Sequence, residues 1–357
     1  MASSKDDSTA EAAEQLGSIS LGEAAEWKDD DNETTATAEN GTPTKMCSAC
    51  GEKSDTVKKC TACKCVWYCD KECQNKHRKE HRKECKAIKK ELQKRGGKLD
   101  LGTELDLGPL PDVPPREECP ICMRALPICA ALQVYFACCG KIVCHGCDYQ
   151  HDIKAENNER ANTCPFCRTV APKSDEAVLA RLNKRVECKD QKALEHLAMN
   201  YCHGLYGLSV DQGKSIELLR ESADHGLPDA QYQLATFLKH GEMGLAQNEE
   251  EARKYCEEAA EGGHLVALYT LGCALEQKDG DHVAAMRHYR LAASRGYKPA
   301  MSDIIGCFEE GVLRHGDLAE TLQNFYLARS ELRNDDRDRY IEHLKETGEY
   351  REESHDF

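Results

Sequence analysis

The sequence has no long hydrophobic run. Its best candidate, Pro127 to Cys139, is too short to cross a bilayer and is interrupted by Gln133, which argues against a membrane protein. The first residues, Met1 to Leu21, lack the basic and then apolar pattern of a signal peptide, so a secreted product is not expected. Positive charge is in deficit. The 48 Lys and Arg against 63 Asp and Glu give a formal charge of −15, which argues against general binding of nucleic acid or of a membrane surface. No Gly-rich phosphate loop of Walker or dinucleotide type occurs. His196 and His203 sit at helical spacings beside Cys202, but nothing marks that cysteine as a nucleophile.

What is abundant is cysteine. Of 22 cysteines, 17 fall between Cys47 and Cys167. Without a secretory signal the expected compartment is reducing, the cytoplasm or the nucleus, where disulfides do not persist. Clustered cysteines at short spacing then read as metal ligands. Four zinc sites built from 15 thiolates and one His would add 8 − 15 = −7, taking the folded charge to about −22.

A length of 357 residues suggests two to four domains, with 40% hydrophobic and 31% charged residues as for a soluble chain. Residues 1–44 carry 11 acidic and 2 basic side chains and no apolar period, and read as a disordered acidic tail. A cysteine-rich segment with a basic helix covers 45–95. A Pro-rich linker spans 96–116, extended and stiff between Pro109 and Pro115. A second cysteine-rich segment covers 117–172. Helical periodicity then runs from 175 to 350, with a polar capping helix from Asp335 and a tail at 351–357.

In the first segment the pairs are Cys47-x2-Cys50, Cys60-x2-Cys63, Cys69-x3-Cys73 and His81-x3-Cys85, enough for two tetrahedral zinc sites. The last two pairs have i, i+4 spacing, which places both ligands on one face of a helix predicted from Asp70 to Arg95. With the Tyr68-Cys69 and Cys73-Gln74 pairs, this arrangement resembles a MYND finger. The resemblance implies interleaved sites: Cys47, Cys50, Cys69 and Cys73 on one zinc, and Cys60, Cys63, His81 and Cys85 on the other. It leaves Cys65 as a spare thiol or an exchanged ligand. It also implies binding of a short Pro-containing peptide, although Arg78 stands where many members carry Trp, so a purely structural finger stays open. Pro111-Asp112-Val113-Pro114-Pro115 is similar to the family's Pro-x-Leu-x-Pro ligands, so the linker is either a spacer or a ligand for the finger. The segment is basic, with 16 Lys and Arg against 7 Asp and Glu over 45–95, giving either a solvated helix face or a surface for an acidic partner.

The second segment has Cys119-x2-Cys122, Cys138-Cys139, Cys144-x2-Cys147 and Cys164-x2-Cys167. This order resembles a RING finger, in which the first and third pairs share one zinc and the second and fourth share another. Lys141 occupies the usual His position, so Cys138 and Cys139 substitute, with Gly140 easing the turn. Cys129, His145 and His151 are alternative ligands. By the same resemblance, Ile121, Pro165 and Arg168 would contact a ubiquitin-conjugating enzyme, with Arg168 positioning the thioester and no covalent step on this chain. Glu156 stands where an aromatic often completes that surface.

In the C-terminal half Ala193, Ala230, Ala267 and Ala300 open similar frames after 37, 37 and 33 residues. Gly226, Gly263 and Gly296 close the second helices, and Gly204, Gly241, Gly280 and Gly311 mark the turns within units. This period means an α-solenoid whose units stack to bury their apolar stripes. The units are similar to Sel1-like repeats over roughly 190–332, with a different turn in the third. Cys188, Cys202, Cys256, Cys273 and Cys307 read as small core residues. The remaining length leaves no room for the SET methyltransferase core found with some MYND fingers.

The expected fold is therefore multidomain: two small zinc-dependent fingers, MYND-like and RING-like α+β, followed by an all-α Sel1-like solenoid. The expected function is a zinc-binding protein-interaction adaptor holding four Zn²⁺, with a client protein on the solenoid and no catalytic residue of its own. The alternative is a RING-type E3 ubiquitin ligase with the repeats as substrate receptor.

Overall fold

Helical spacing decides the first long element. Asp70 accepts a hydrogen bond from the Cys73 amide at 2.7 Å and caps α1, Lys71–Lys94, which ends where Gly96 and Gly97 turn the chain at positive φ. The structure, a computed structural model, describes residues 46–350 except 55, 101, 103, 112–113 and 156–162. The acidic tail expected at 1–44, the tail at 351–357, Glu156, and the Asp112-Val113 centre of the Pro-x-Val-x-Pro stretch lie outside the described residues. Ahead of α1, a short antiparallel hairpin pairs β1, Lys58–Lys59, with β2, Trp67–Tyr68. In the second cysteine-rich segment β3, Gln133–Phe136, pairs antiparallel with β4, Lys141–Cys144, and α2, His145–Ala155, follows directly.

The repeats comprise α3, Asp175–Glu187; α4, Gln191–His203; α5, Gln212–Asp224; α6, Pro228–His240; α7, Glu249–Glu261; α8, Leu265–Ala274; α9, His282–Ser294; and α10, Lys298–Glu309. Two further helices follow, α11, His315–Leu332, and α12, Asp335–Thr347. The helices α3 to α10 pack chiefly on their neighbours in sequence, as stacking of units requires, whereas α11 packs more on α9 than on α10 and α12 packs on α2. Ala193, Ala230, Ala267 and Ala300 are fully buried early in α4, α6, α8 and α10, where a larger side chain would hold the helices apart. The third unit does differ: α8 passes into a π-helical turn, Leu275–Asp279, before Gly280. Among the described residues no helix is long and apolar enough to cross a membrane.

The first finger has no core separate from the helices. Cys63, Val66, Tyr68, Ile88 and Leu92 belong to one buried cluster with Ala292, Phe308, Leu313, Leu322, Phe325 and Tyr326. At the end of α1, Arg95 hydrogen-bonds the Phe308 carbonyl and lays its guanidinium over the Phe308 ring at 4.1 Å. Burial of such apolar surface contributes about 25 cal/mol per Å². The finger is therefore seated on α10 and α11.

The connector after α1 is not a free spacer. Leu107 is buried, the Leu105 amide donates to the Val312 carbonyl at 3.0 Å, and Arg287 and Arg290 of α9 hold the carbonyls of Leu107 and Gly108 at 3.1 and 2.9 Å. Two leucines within the Pro-rich stretch bring it onto the helices. Pro114 and Pro115 then line a cleft beside the repeats rather than a surface of the first finger.

The second finger touches both ends of the array. On one side Tyr135 of β3 stacks on His196 of α4, with centroids 4.8 Å apart, and donates to Asp190 at 3.0 Å. On the other, α2 packs on α12 through His145 on Tyr340, Tyr149 on His343, and an Arg339 to Gln150 hydrogen bond of 3.2 Å. The expected polar capping helix is thus an interface, with Arg337 fully buried. The expectation of five core cysteines in the repeats also needs correction. Cys256 is buried and Cys273 and Cys307 pack, half-buried, against the same core, but Cys202 is only half-buried and Cys188 at the end of α3 is exposed.

Gly146 marks the closest approach in the α2–α12 interface. A Cβ there would lie 2.7 Å from the backbone of Arg337, where no flexible end can give way. Gly146→Val is expected to destabilise the chain by about 1–3 kcal/mol. In limited proteolysis, cleavage should begin in α12, while Gly316→Val, at an open position, leaves the pattern unchanged.

Candidate metal centres

Four of the five Cys-x2-Cys pairs form tight knuckles, while the fifth, Cys144-x2-Cys147, passes from β4 into α2. The amides of Gly51, Lys64, Met123 and Arg168 donate back to the carbonyls of Cys47, Cys60, Cys119 and Cys164 at 2.8–2.9 Å. In these four the residue after the second cysteine is left-handed. Gly51 adopts this at little cost, but Lys64, Met123 and Arg168 do so at φ 58, 54 and 61°. Such backbone is unfavourable by about 1–2 kcal/mol for a residue with a Cβ.

The sixteen sequence-selected ligands come together in four groups, with the ligand atoms of each group all within 4.8 Å of one another. Cys47, Cys50, Cys69 and Cys73 form the first, and Cys60, Cys63, His81 and Cys85 the second. Cys119, Cys122, Cys144 and Cys147 form the third, and Cys138, Cys139, Cys164 and Cys167 the fourth. In both fingers, then, the first and third pairs share a site, and so do the second and fourth. The helix α1 carries Cys73 in its first turn and places Cys85 one turn after His81, whereas Cys69 lies before the Asp70 cap, outside the helix expected to hold both ligands of its pair. Adjacent Cys138 and Cys139 reach one site because the chain turns sharply after β3. The amides of Cys139 and Gly140 both donate to the Phe136 carbonyl, and Gly140 has φ 68°. A Cβ on Gly140 would also overlap the Arg185 guanidinium.

The spacing suits zinc. Four thiolates about 2.3 Å from a tetrahedral ion stand about 3.8 Å apart. The structure has Cys50–Cys69 and Cys60–Cys85 at 3.8 Å, Cys122–Cys144 and Cys139–Cys164 at 3.9 Å, and tighter Cys69–Cys73 and Cys138–Cys167 contacts of 3.2 and 3.4 Å. His81 presents Nε2 to Cys63 Sγ at 3.2 Å. Thiols this close cannot all ionise unaided. Hydrogen bonds from Cys63 and Cys85 pull the Cys60 thiol far down, and hydrogen bonding to Cys60 drives Cys63 far up. Cys119 and Cys147 divide in the same way. A divalent cation removes that conflict by holding every ligand deprotonated.

The alternative ligands are engaged elsewhere. His145 stacks on Tyr340, His151 approaches the Thr163 hydroxyl at 3.3 Å, and Cys129 packs beside Leu132. Lys141 extends over the Phe166 ring instead of toward a site. Cys65 is fully buried, 3.2 Å from His315 Nε2. Arg78 is exposed on α1. Ile121 and Phe166 are 41 and 45% exposed, Arg168 is exposed, and Pro165 is half-buried. Sequence reasoning missed the partners of the ligand groups on α11 and α12. Arg337 reaches Cys122 Sγ at 3.6 Å, His315 Nε2 lies 2.9 Å from the Cys63 carbonyl, and Tyr326 Oη lies 3.2 Å from His81 Nδ1. Their separation of some 215–252 residues from the ligands leaves no local signal.

Two cysteine-rich fingers on a helical repeat define a zinc-binding protein-interaction module. More particularly, the chain carries a MYND finger and Sel1 repeats: the MYND finger family matches residues 47–85, and the Sel1 repeat family matches 191–227, 228–264 and 267–297. Among solved structures, a Sel1 repeat protein from Oxalobacter formigenes is 31% identical, with 36% of this chain and 96% of that one covered and a TM-score of 0.33. The antigen c5321 of uropathogenic Escherichia coli, which displays an SLR fold, is 20% identical over 50% of this chain and 38% of that one, with a TM-score of 0.36. Pseudomonas aeruginosa 5086 is 17% identical over 50% of this chain and 79% of that one, with a TM-score of 0.26. No curated protein matches the chain.

Native mass spectrometry of reduced protein should find four zinc ions. Cys138→Ser and Cys139→Ser should each lower the count to three, whereas Cys129→Ser and His151→Gln should leave four.

Proposed function

We propose that the chain is a zinc-dependent adaptor that takes a peptide segment of a client protein into the cleft between its second finger and its repeats. The observation that carries this reading is the cleft itself, about 820 Å³ in volume. One wall is Pro115, Pro127, Ile128 and Ile142. The other is built from the helix starts around Lys192, Pro228, Asp229, Leu265 and Val266. The size and the mixture of apolar lining with a few fixed charges suit recognition of a short segment.

The charges are held in place. Lys192 pairs with Asp229 and Glu195, both at 2.7 Å, and Asp229 lies 3.6 Å from His264, which stacks on Tyr232 at 4.5 Å. Arg116 and Arg295 add buried nitrogens with no hydrogen-bond partner, Nη1 and Nε. They favour a client segment that brings an acceptor. Zinc in this reading is structural: it holds the finger that forms one wall and supplies no reaction. The reading assumes a reducing compartment, cytoplasm or nucleus, because the ligating thiols must stay reduced.

To test it, proteins captured by the full chain and by Val266→Glu are compared, and the affinity of each client so identified is then measured directly. At least one client should bind Val266→Glu more than tenfold more weakly, with zinc content unchanged. Equal affinity for every client sinks the cleft reading.

A second reading is a ubiquitin ligase acting through the second finger. It draws on the exposure of Ile121, Phe166 and Arg168, which the repeats leave uncovered. Discharge of ubiquitin from a panel of conjugating enzymes separates the two. The adaptor reading expects no acceleration. Acceleration removed by both Ile121→Ala and Arg168→Ala establishes the ligase.

A further inference from the structure

The second ligand group of the MYND finger is completed from outside the finger. His81 turns Nε2 toward Cys63 Sγ, 3.2 Å away, and so points Nδ1 away from the cluster. There Nδ1 meets the hydroxyl of Tyr326 on α11 at 3.2 Å. That hydroxyl lies 3.4 Å from a carboxylate oxygen of Glu84. A neutral histidine that ligates through Nε2 carries its proton on Nδ1, and the acceptor for that proton fixes the tautomer and the plane of the ring. The polarity of the chain follows: Nδ1–H donates to Tyr326 Oη, and the Tyr326 hydroxyl donates to Glu84.

The Tyr326 ring also packs edge-on against His77 at 4.1 Å and His81 at 5.6 Å, and its side chain is buried. One helix therefore both fills the space beside the histidine and accepts its proton. The same helix reaches a second ligand. His315 Nε2 is 2.9 Å from the carbonyl of Cys63, at the base of the knuckle. Two of the four ligands of this group are thus held by α11, some 250 residues later in the chain.

We propose that Tyr326 is a positioning residue for zinc at the Cys60–Cys63–His81–Cys85 site, so that zinc binding there and the seating of α11 on the finger are one linked equilibrium. Linkage runs both ways. Whatever factor docking adds to zinc affinity, zinc adds to docking. The MYND finger of this chain is then a metal-dependent strut for the end of the repeats as well as a surface of its own.

The test uses the full chain and graded chelation. Ions retained are counted by native mass spectrometry, and the ring ¹⁵N shifts of His81 identify when this site empties. Tyr326→Phe keeps the ring and removes only the hydroxyl. It should lower zinc affinity at the His81 site by about 10–100-fold, the usual effect of losing such a partner, and leave the other three sites within twofold. His81→Cys provides the control, because a fourth thiolate keeps a tetrahedral site and has no Nδ1. In that background the affinity of the all-cysteine site is read from the count alone, and Tyr326→Phe should change it by less than twofold. In the unaltered chain, emptying this site should raise hydrogen exchange along His315–Leu332. The proposal is overturned if Tyr326→Phe leaves zinc affinity unchanged. It is equally overturned if the loss is the same in the His81→Cys background, which would assign the hydroxyl to packing alone.

Discussion

Everything in this structure depends on drawing cysteine sulfur close to cysteine sulfur. Four ligand groups, each within 4.8 Å, tie together segments whose own sheets are very short. The first finger's hairpin has two residues per strand and the second finger's has four. Hairpins of that size are not stable alone. A segment of about 50 residues is also only marginally stable on its buried apolar surface alone. Ligation supplies the cross-links, and the left-handed residues Lys64, Met123 and Arg168 show where the backbone yields to it.

The fingers in turn answer a problem of the helical array. Stacked repeats leave an apolar face at each end, and an end needs a cap. Here α10 and α11 take the first finger, whose Ile88 and Leu92 enter the same buried cluster as Phe308 and Phe325. The helices α3 and α12 both meet the second finger, through Tyr135 and Ala137 at one end and Leu132 at the other. Each of the small lobes therefore has two sources of order, ligands within and helices outside. The connector between the lobes shares in this, with Leu107 buried and Arg290, only 1% exposed, spanning from its carbonyl to Thr321 and Glu320.

What was legible in the sequence was whatever is local. Pairs of cysteines with two residues between them, ligands one helical turn apart and alanines at a period of 33–37 all reflect local geometry, and the structure has knuckles, a ligand-bearing helix and helix pairs at those places. What stayed illegible was contact between distant segments. Tyr326, His315 and Arg337 look like ordinary residues of amphipathic helices, since nothing near them in sequence reveals that they face zinc ligands. Leu105 and Leu107 sit in a Pro-rich stretch whose composition suggests a spacer, yet two apolar side chains suffice to bring it onto α9. Cys188 shows the opposite limit. Its helical setting suggests a core thiol, but it lies at the helix end, where burial is lost.

The same long-range contacts decide what the repeats can do. Here the second finger stands beside the helix starts of α4, α6 and α8, and the two together form a cleft with two walls. Both walls are fixed before anything binds: one by ligands and by packing at both ends of the array, the other by the Lys192–Asp229–His264 network at the helix starts. A segment entering such a cleft orders few protein side chains, so less of its contact energy is lost to entropy than on a flexible surface. The arrangement also makes recognition conditional. In the proposed function a wall that rests on zinc ligands can be no firmer than the metal that holds them, which ties recognition in the cleft to the metal centres.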